Sequence, residues 1–573
     1  MRTWSWVLFG SALLAAGGLA SACSSAGSGA PSADPSAGSS AGGDAGEAGA
    51  HLVESGGDAG AAVAALAGAD AGDGGAAGAP AAELPPACEP ASRTDAPDDG
   101  FEDSNCDGID GNKSTAIFVS PDGSDKSSGE FGLPVSTISK GVELASAQGK
   151  DVYVCTADYP ENVVIDTKRV SIFGGYECAD WSRGNTHPNV VPTSGIALKL
   201  RKVSAVTIDR MNFTAADANG PGESAIAAQV MASDHIVLTH LELTAGNGAS
   251  GAKAIRVTTV TKGARAGSDG DAGLTCNEYL GTCDADSVAG GDGPTDKCGS
   301  TKMHGGTGGN GAPHPKGKPD TGAAGTPGTK KSGAAGKNGA AGKSGTFSSD
   351  SFGSVTDDGY VASNAGTDGL VGAPGESGGG GDGGYSCHYE SSPLDLLADC
   401  IAGVGQDQFF YGSGGGQGGY GGCGGQGGYG GGAGGASVAL LSINSSVSLS
   451  WSSLSTGKGG DGGPPSAGAK GQPGGDGGSA GKPSSSALST YATQTTGQDG
   501  GAGGNGGPGG NGGPGGGGPS ITLVVLGDAP LTQAVTFTNG AGGKGATGLN
   551  GQDAVSGESM ELKVIDAASA DGS

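Results

Sequence analysis

The chain has 573 residues and a formal net charge of −28, from 58 Asp and Glu against 30 Lys and Arg. That balance argues against nucleic acid as a partner, because phosphate binding takes clustered Lys and Arg. With 125 glycines and only 5% aromatic residues, much of the chain lacks the apolar area that offsets ordering entropy, so its length overstates any packed core.

The first residues read as an export signal. Arg2 supplies a positive start, Trp4 to Leu19 an apolar run, and Ala20, Ser21 and Ala22 lead to Cys23. The run is too short to span a bilayer. Residues 1–22 resemble the signal of bacterial lipoproteins, with Ala20 where the usual Leu stands and Leu19 one place earlier. The resemblance implies lipidation of Cys23 and anchorage to the outer membrane or cell surface, with Ser24 compatible with outer-membrane transfer. Ordinary secretion without the lipid is the alternative. Residues 23–86, almost wholly Gly, Ala, Ser, Asp, Glu and Pro, read as a flexible tether.

Eleven cysteines are present, ten of them besides Cys23. An even number in an exported chain favours disulfides. Spacing suggests Cys88 with Cys106, Cys155 with Cys178 and Cys387 with Cys400. Cys276, Cys283, Cys298 and Cys423 leave two bridges of open connectivity. No CxxC pair with a nearby His points to zinc.

Residues 87–114 form an acidic module ending FEDSNCDGIDG. Asp103, Asn105 and Asp107 alternate and Gly108 follows, the first half of a D-x-[DN]-x-[DN]-G calcium loop. The twelfth position is Ser114 instead of Glu, so Asp110, Asp98 or Asp99 would have to complete the site. An Asx-turn linker pinned by a disulfide is the other open reading. Calcium is the one cofactor this chemistry admits. The stretch resembles the Asn-Cys-Asp-Gly-Ile-Asp-Gly element ahead of β-helical domains in large bacterial surface lipoproteins.

From Ala116 the chain changes character. AIFV predicts a strand, and Ile138, Val142 and Leu144 predict a short amphipathic helix. DVYVCTADY, NVVID and RVSIFGGY follow as strands with alternating apolar residues. Val119 to Asp125 and Pro134 to Ala145 resemble the capping helix and first rung of right-handed parallel β-helices of the pectin-lyase-like superfamily. The resemblance implies an all-β fold, a β-helix with an N-terminal capping helix, beginning in residues 115–260. Three repeats start at Ala225, Ser437 and Ser520. Each runs strand, polar break, strand and glycine-rich loop, which reads as successive coils stacking to bury a shared core. Further coils are expected in 436–573, with glycine-rich insertions there and across 261–435.

Within the insertions glycine recurs every third residue, from Gly366 through Gly384, Gly412 through Gly430 and Gly500 through Gly518. Collagen uses that period, but these blocks are short and break phase. They are either disordered or packed as polyproline-II-like strands. GGQGGYGGCGGQGGYGG resembles the glycine-rich repeats of mycobacterial PGRS-type proteins.

Catalytic constellations are absent. Paired carboxylates, G-x-S-x-G, H-E-x-x-H and phosphate loops do not occur in the apparent rungs. Asp209–Arg210 and Asp234–His235 are the only suggestive pairs, and His240 reads as a solvent-facing rung position. Tyr385, Tyr389, Tyr411, Tyr420 and Tyr429, with Phe409 and Phe410, gather near the densest glycine block. They are the candidate ligand contact, with gap filling under loops the alternative. The expected role is structural or adhesive, against extracellular polysaccharide or surface proteins. A polysaccharide lyase or hydrolase and a cation-binding envelope protein are the alternatives.

Overall fold

The computed structural model describes residues 88–166, 168–277, 287–313, 328–389, 408–484 and 495–566. The chain divides into two units, Met1–Leu84 and Pro85–Ser573, and every described residue belongs to the second. Residues 1–22, expected to be an export signal, and residues 23–86, expected to be a tether, lie outside the described residues, as do Cys283, Cys400 and the side chains of Cys276, Cys387, Tyr389 and Phe409.

The fold is all-β, and parallel pairing builds its three principal sheets. Short apolar strands visit the sheets in turn. Ala225–Met231 lies in the first, Asp234–Thr239 in the second and Glu242–Ala245 in the third. The next visit is Ser437–Ile443, Val447–Ser450 and Ser453–Thr456, and another is Ser520–Leu526, Leu531–Gln533 and Thr536–Thr538. Ala225 pairs with Ser437, and Ser437 with Ser520, so the three repeats align at the residues where the sequence starts them. One expectation is corrected: a third strand precedes each glycine-rich loop. At three or four residues it is too short for alternation to reveal.

Inward side chains stack from one visit to the next. Ala228 pairs with Leu440 and Leu440 with Leu523, all three in the main core. Leu243 pairs with Leu454, and Leu454 with Phe537. SVALLSI and SITLVVL are buried along their whole length, which explains their nearly continuous apolar runs. One face enters the main core, and the other packs under Phe352 and Val355. Buried serines carry hydrogen bonds between turns: Ser233 Oγ accepts from Val203 N at 3.2 Å, and Ser445 Oγ accepts from Ser233 N at 3.0 Å.

The helix Ile138–Gln148 buries Ile138, Gly141, Val142 and Ala145 in the same core as Val119 and Val152. Thr137 caps it by accepting from Lys140 N at 3.1 Å, and Gly149 ends it at φ 68°. Thr137→Ala is expected to cost about 1 kcal/mol, read as a shift of the urea midpoint at unchanged slope. Thr137→Ser keeps the capping hydroxyl and should avoid most of that loss.

The described glycine-rich segments are hydrogen-bonded to one another with period three. Gly419, Gly422, Gly425 and Gly428 donate to the carbonyls of Gly501, Gly504, Gly507 and Gly510 at 2.8–2.9 Å. Gly369, Gly372 and Gly375 donate to Gly428, Gly425 and Gly422, running antiparallel. Crowding explains the composition. A Cβ on Gly418, Gly421 or Gly424 would meet the carbonyl oxygen of Gly378, Gly375 or Gly372 at 2.0 Å or less. One on Gly419, Gly422 or Gly425 would meet that of Gly475, Gln472 or Ala469 at 2.0 Å or less. This segment has two crowded faces and two glycines per triplet. Residues 366–375, with one glycine per triplet, crowd their glycines on one face, against the carbonyls of Gly513, Gly510, Gly507 and Gly504.

Candidate functional site

Asp209, Arg210 and His240 converge where the acidic module meets the second sheet. Ile109 packs with Phe118, Tyr153 and Tyr176 on that sheet and with Trp181 in the turn after it. Tyr176 OH donates to Asp110 O at 2.7 Å, and Asn112 N donates to Tyr153 OH at 3.1 Å. Burial pushes the Tyr153 hydroxyl up to about 12. Cys88–Cys106 closes the module and Cys155–Cys178 ties the sheet to the turn beside Trp181.

Arg183 sits at the centre with its side chain fully buried. It donates to the Asp110 carboxylate at 2.9 Å, to Asp98 O at 3.1 Å, to Gly174 O at 3.0 Å, and to the Asp209 carboxylate. Arg210 donates to Asp209 at 2.8 Å and to Asp99 at 2.9 Å, with Phe101 lying 4.8 Å from its guanidinium. His240 Nδ1 lies 3.0 Å from Asp209 Oδ1. Asp209 therefore meets two arginines and a histidine, and it lacks the free face that a general base or nucleophile needs. The pair Asp209–Arg210 clamps the acidic module to the sheet. Asp234 and His235 form a separate pair on the surface.

No family model, curated protein or solved structure matches this chain.

Backbone conformation sets the corner. Arg210, His240, Trp451 and Ala534 all have φ between 49° and 51°. That left-handed state is uncommon for residues other than glycine. The first three donate their N–H to Thr239 O, Ser450 O and Gln533 O in the following turn. His240 and Trp451 consequently stack, 6.5 Å apart and 7° from parallel. His240 was expected to face solvent, but its side chain is 22% exposed because the corner directs it onto Asp209. Arg183 went unnoticed in the sequence, since nothing local marks a single arginine in a turn.

The loop oxygens of the acidic module are engaged by the protein itself. Asp103 accepts from the N–H groups of Asp107 and Gly108 at 3.0 and 2.7 Å, and Asn105 Oδ1 from Asp107 N at 2.8 Å. Asp107 accepts from Lys113 N at 2.9 Å, Lys113 Nζ donates to Asp107 O, and Asp110 faces Arg183. Among the described residues no group of three or more His, Cys, Asp or Glu is placed to hold a metal ion. The arrangement has the hydrogen bonding of Asx turns.

The tyrosines do not form one patch. Tyr411 and Tyr420 are 1% exposed, whereas Tyr385 and Tyr429 are 55% and 41% exposed. Tyr420 OH donates to Pro294 O, and its ring lies 6.1 Å from that of His304. Segments packed over the glycine block bury it, a consequence of tertiary contact that spacing does not carry. Cys298 and Cys423 form one of the two bridges left open by the sequence.

Arg210 beside Asp99 holds that carboxyl below the usual range, against a smaller opposing effect of burial. Its contribution to stability is present above the ordinary Asp pKa of about 3.9 and is lost as pH falls through the depressed value. Burial pushes Asp110 the other way, against Arg183. Its contribution is full below the ordinary range and lost as pH rises through the raised value. Asp99→Asn should therefore flatten the fall of the melting temperature as pH drops below the ordinary Asp range of about 3.9. The change is small, because Asp99 is 70% exposed.

Proposed function

We propose that this chain is an exported, non-enzymatic surface protein with a structural or adhesive role toward extracellular polysaccharide or matrix. The observation that carries this reading is the saturation of Asp209 by Arg183, Arg210 and His240. It turns the best acid–base candidate of the rungs into a clamp. Parallel strands visiting three sheets in turn support a right-handed parallel β-helix as the body. Hydrogen bonding with period three supports packed polyproline-II-like chains in the insertions. The disulfides Cys88–Cys106, Cys155–Cys178 and Cys298–Cys423 agree with an oxidising compartment, and membrane attachment through Cys23 completes the reading. The acidic module acts as a clasp pinning the N-terminal end of the body, and calcium at Asp103, Asn105, Asp107 and Asp110 is the competing use of it.

The full-length chain is passed over immobilised acidic and neutral polysaccharides with and without a chelator, and polymer breakdown is followed in parallel. Retention without products supports the reading. Release of unsaturated or reducing ends overturns it in favour of a lyase or hydrolase. Loss of retention on chelation assigns the loop to calcium.

A further inference from the structure

Two open clefts flank the hairpin formed by Asp296–Cys298 and Thr301–Met303, and Met303 borders both. Their volumes are about 620 and 660 Å³, within the range of small-ligand sites. Their charge is opposite to that of the chain. The first is lined by Lys262, Arg265 and Lys297 against Asp296. The second is lined by Lys302, Lys330, Lys331 and Lys337 against Glu376. Seven cations face two carboxylates, in a protein whose Asp and Glu outnumber Lys and Arg by 58 to 30.

Among the described residues, Lys262, Lys297, Lys302, Lys331 and Lys337 make no ion pair. Arg265 reaches Asp296 only at 3.9 Å, and Lys330 Nζ donates to His304 O. Lys297 and Lys302 are direct cross-strand partners. Like charges opposite each other disfavour a hairpin, so pairing Lys297 with Lys302 comes at a cost to the hairpin. Lys330 and Lys331 are consecutive residues at φ 56° and 60°, a left-handed turn that L-residues adopt with strain. The disulfide Cys298–Cys423 fixes the hairpin to the glycine-rich segment. A concave wall lined by one sign of charge focuses its field. At physiological salt, screening over about 8 Å separates that field from the acidic remainder of the surface.

We propose that these two clefts form a continuous binding site for an anionic polysaccharide bearing carboxylate or sulfate groups. This rests on the adhesive reading and names the polymer and the face that takes it. A polysaccharide fits better than single-stranded nucleic acid, whose sites join a basic groove to stacking rings. Two aromatic rings line the clefts and neither is a free stacking platform: Tyr420 is 1% exposed with its hydroxyl bound to Pro294 O, and the part-buried His304 has its ring nitrogens 2.6 and 2.8 Å from Gly305 O and Gly293 O.

The full-length chain is tested for retention on polygalacturonate, chondroitin sulfate, neutral dextran and oligothymidylate at about 0.15 M salt. Lys297→Glu/Lys302→Glu is run beside Tyr385→Ala/Tyr429→Ala. Retention on the two acidic polysaccharides, reduced on the order of tenfold by the lysine pair and unchanged by the tyrosine pair, is the expected result. Should the charge reversal disturb folding, Lys297→Gln/Lys302→Gln gives the same comparison and should leave the melting temperature no lower. Equal retention on dextran overturns the inference while the adhesive reading stands. Preference for oligothymidylate, or acidic-polymer binding indifferent to the lysines, overturns it as well. Retention on no polymer removes both.

Discussion

Arg183→Ala is expected to destabilise the protein by about 3–5 kcal/mol. The guanidinium lies between Asp110 and Asp209, whose side chains are 1% and 6% exposed. Removing it leaves the buried Asp110 carboxylate without a counter-charge and Asp209 with only Arg210 and His240, and that penalty exceeds the value of the hydrogen bonds themselves. Arg183→Lys should recover only part of the loss. A single ammonium does not reproduce four separate donations to Asp98 O, Asp110, Gly174 O and Asp209. Arg183→Leu combined with Asp110→Asn and Asp209→Asn removes the charges together and should be closer to wild type than Arg183→Ala. Urea unfolding at pH 7 measures all of these. A loss below about 1 kcal/mol for Arg183→Ala would mean that water reaches the network, and the acidic module would then not be clamped as described.

Gly418→Ala should lower stability by about 1–3 kcal/mol or more. Two effects compete. Alanine restricts the unfolded chain, which by itself would stabilise by about 0.4–1 kcal/mol. Against that, its Cβ would lie 2.0 Å from Gly378 O and 2.3 Å from the Gly378 carbonyl carbon. Those atoms belong to a backbone held by its own hydrogen bonds, for Gly378 N donates to Gly419 O at 2.8 Å. No side-chain rotation relieves the contact, so the clash wins. Gln426→Ala is the control, because Gln426 is exposed in the third position of the same triplet pattern and should change stability by less than about 0.5 kcal/mol. Equal melting temperatures for the two variants would remove the packed-bundle account of the glycine blocks.

Much of this was legible along the chain. Alternation and length placed the strands around Ala225, Ser437 and Ser520, since each is a local consequence of which residues face the core. The apolar positions Ile138 and Val142 located the helix. Cysteine spacing suggested the bridges Cys88–Cys106 and Cys155–Cys178, both now formed. The site was much less legible. Asp209, Arg210 and His240 were singled out, but their ion pairs depend on Arg183, Asp99 and Asp110, which lie 26 to 141 positions from their partners. The tyrosines were grouped by proximity in sequence, and packing separated them.

By itself the sequence determined the periods: two for the strands, three for the glycine blocks, and a recurrence of visits to the same sheets. Each of these follows from backbone geometry repeated residue by residue. Only the tertiary structure decided what those periods meet. The number of glycines per triplet reports how many neighbouring backbones approach, and those neighbours come from distant segments. Cys298 found Cys423 125 positions away, and seven cations scattered from Lys262 to Lys337 came to line two clefts. Charge and crowding act through space, and a chain this rich in glycine encodes little locally about which of its segments will become neighbours.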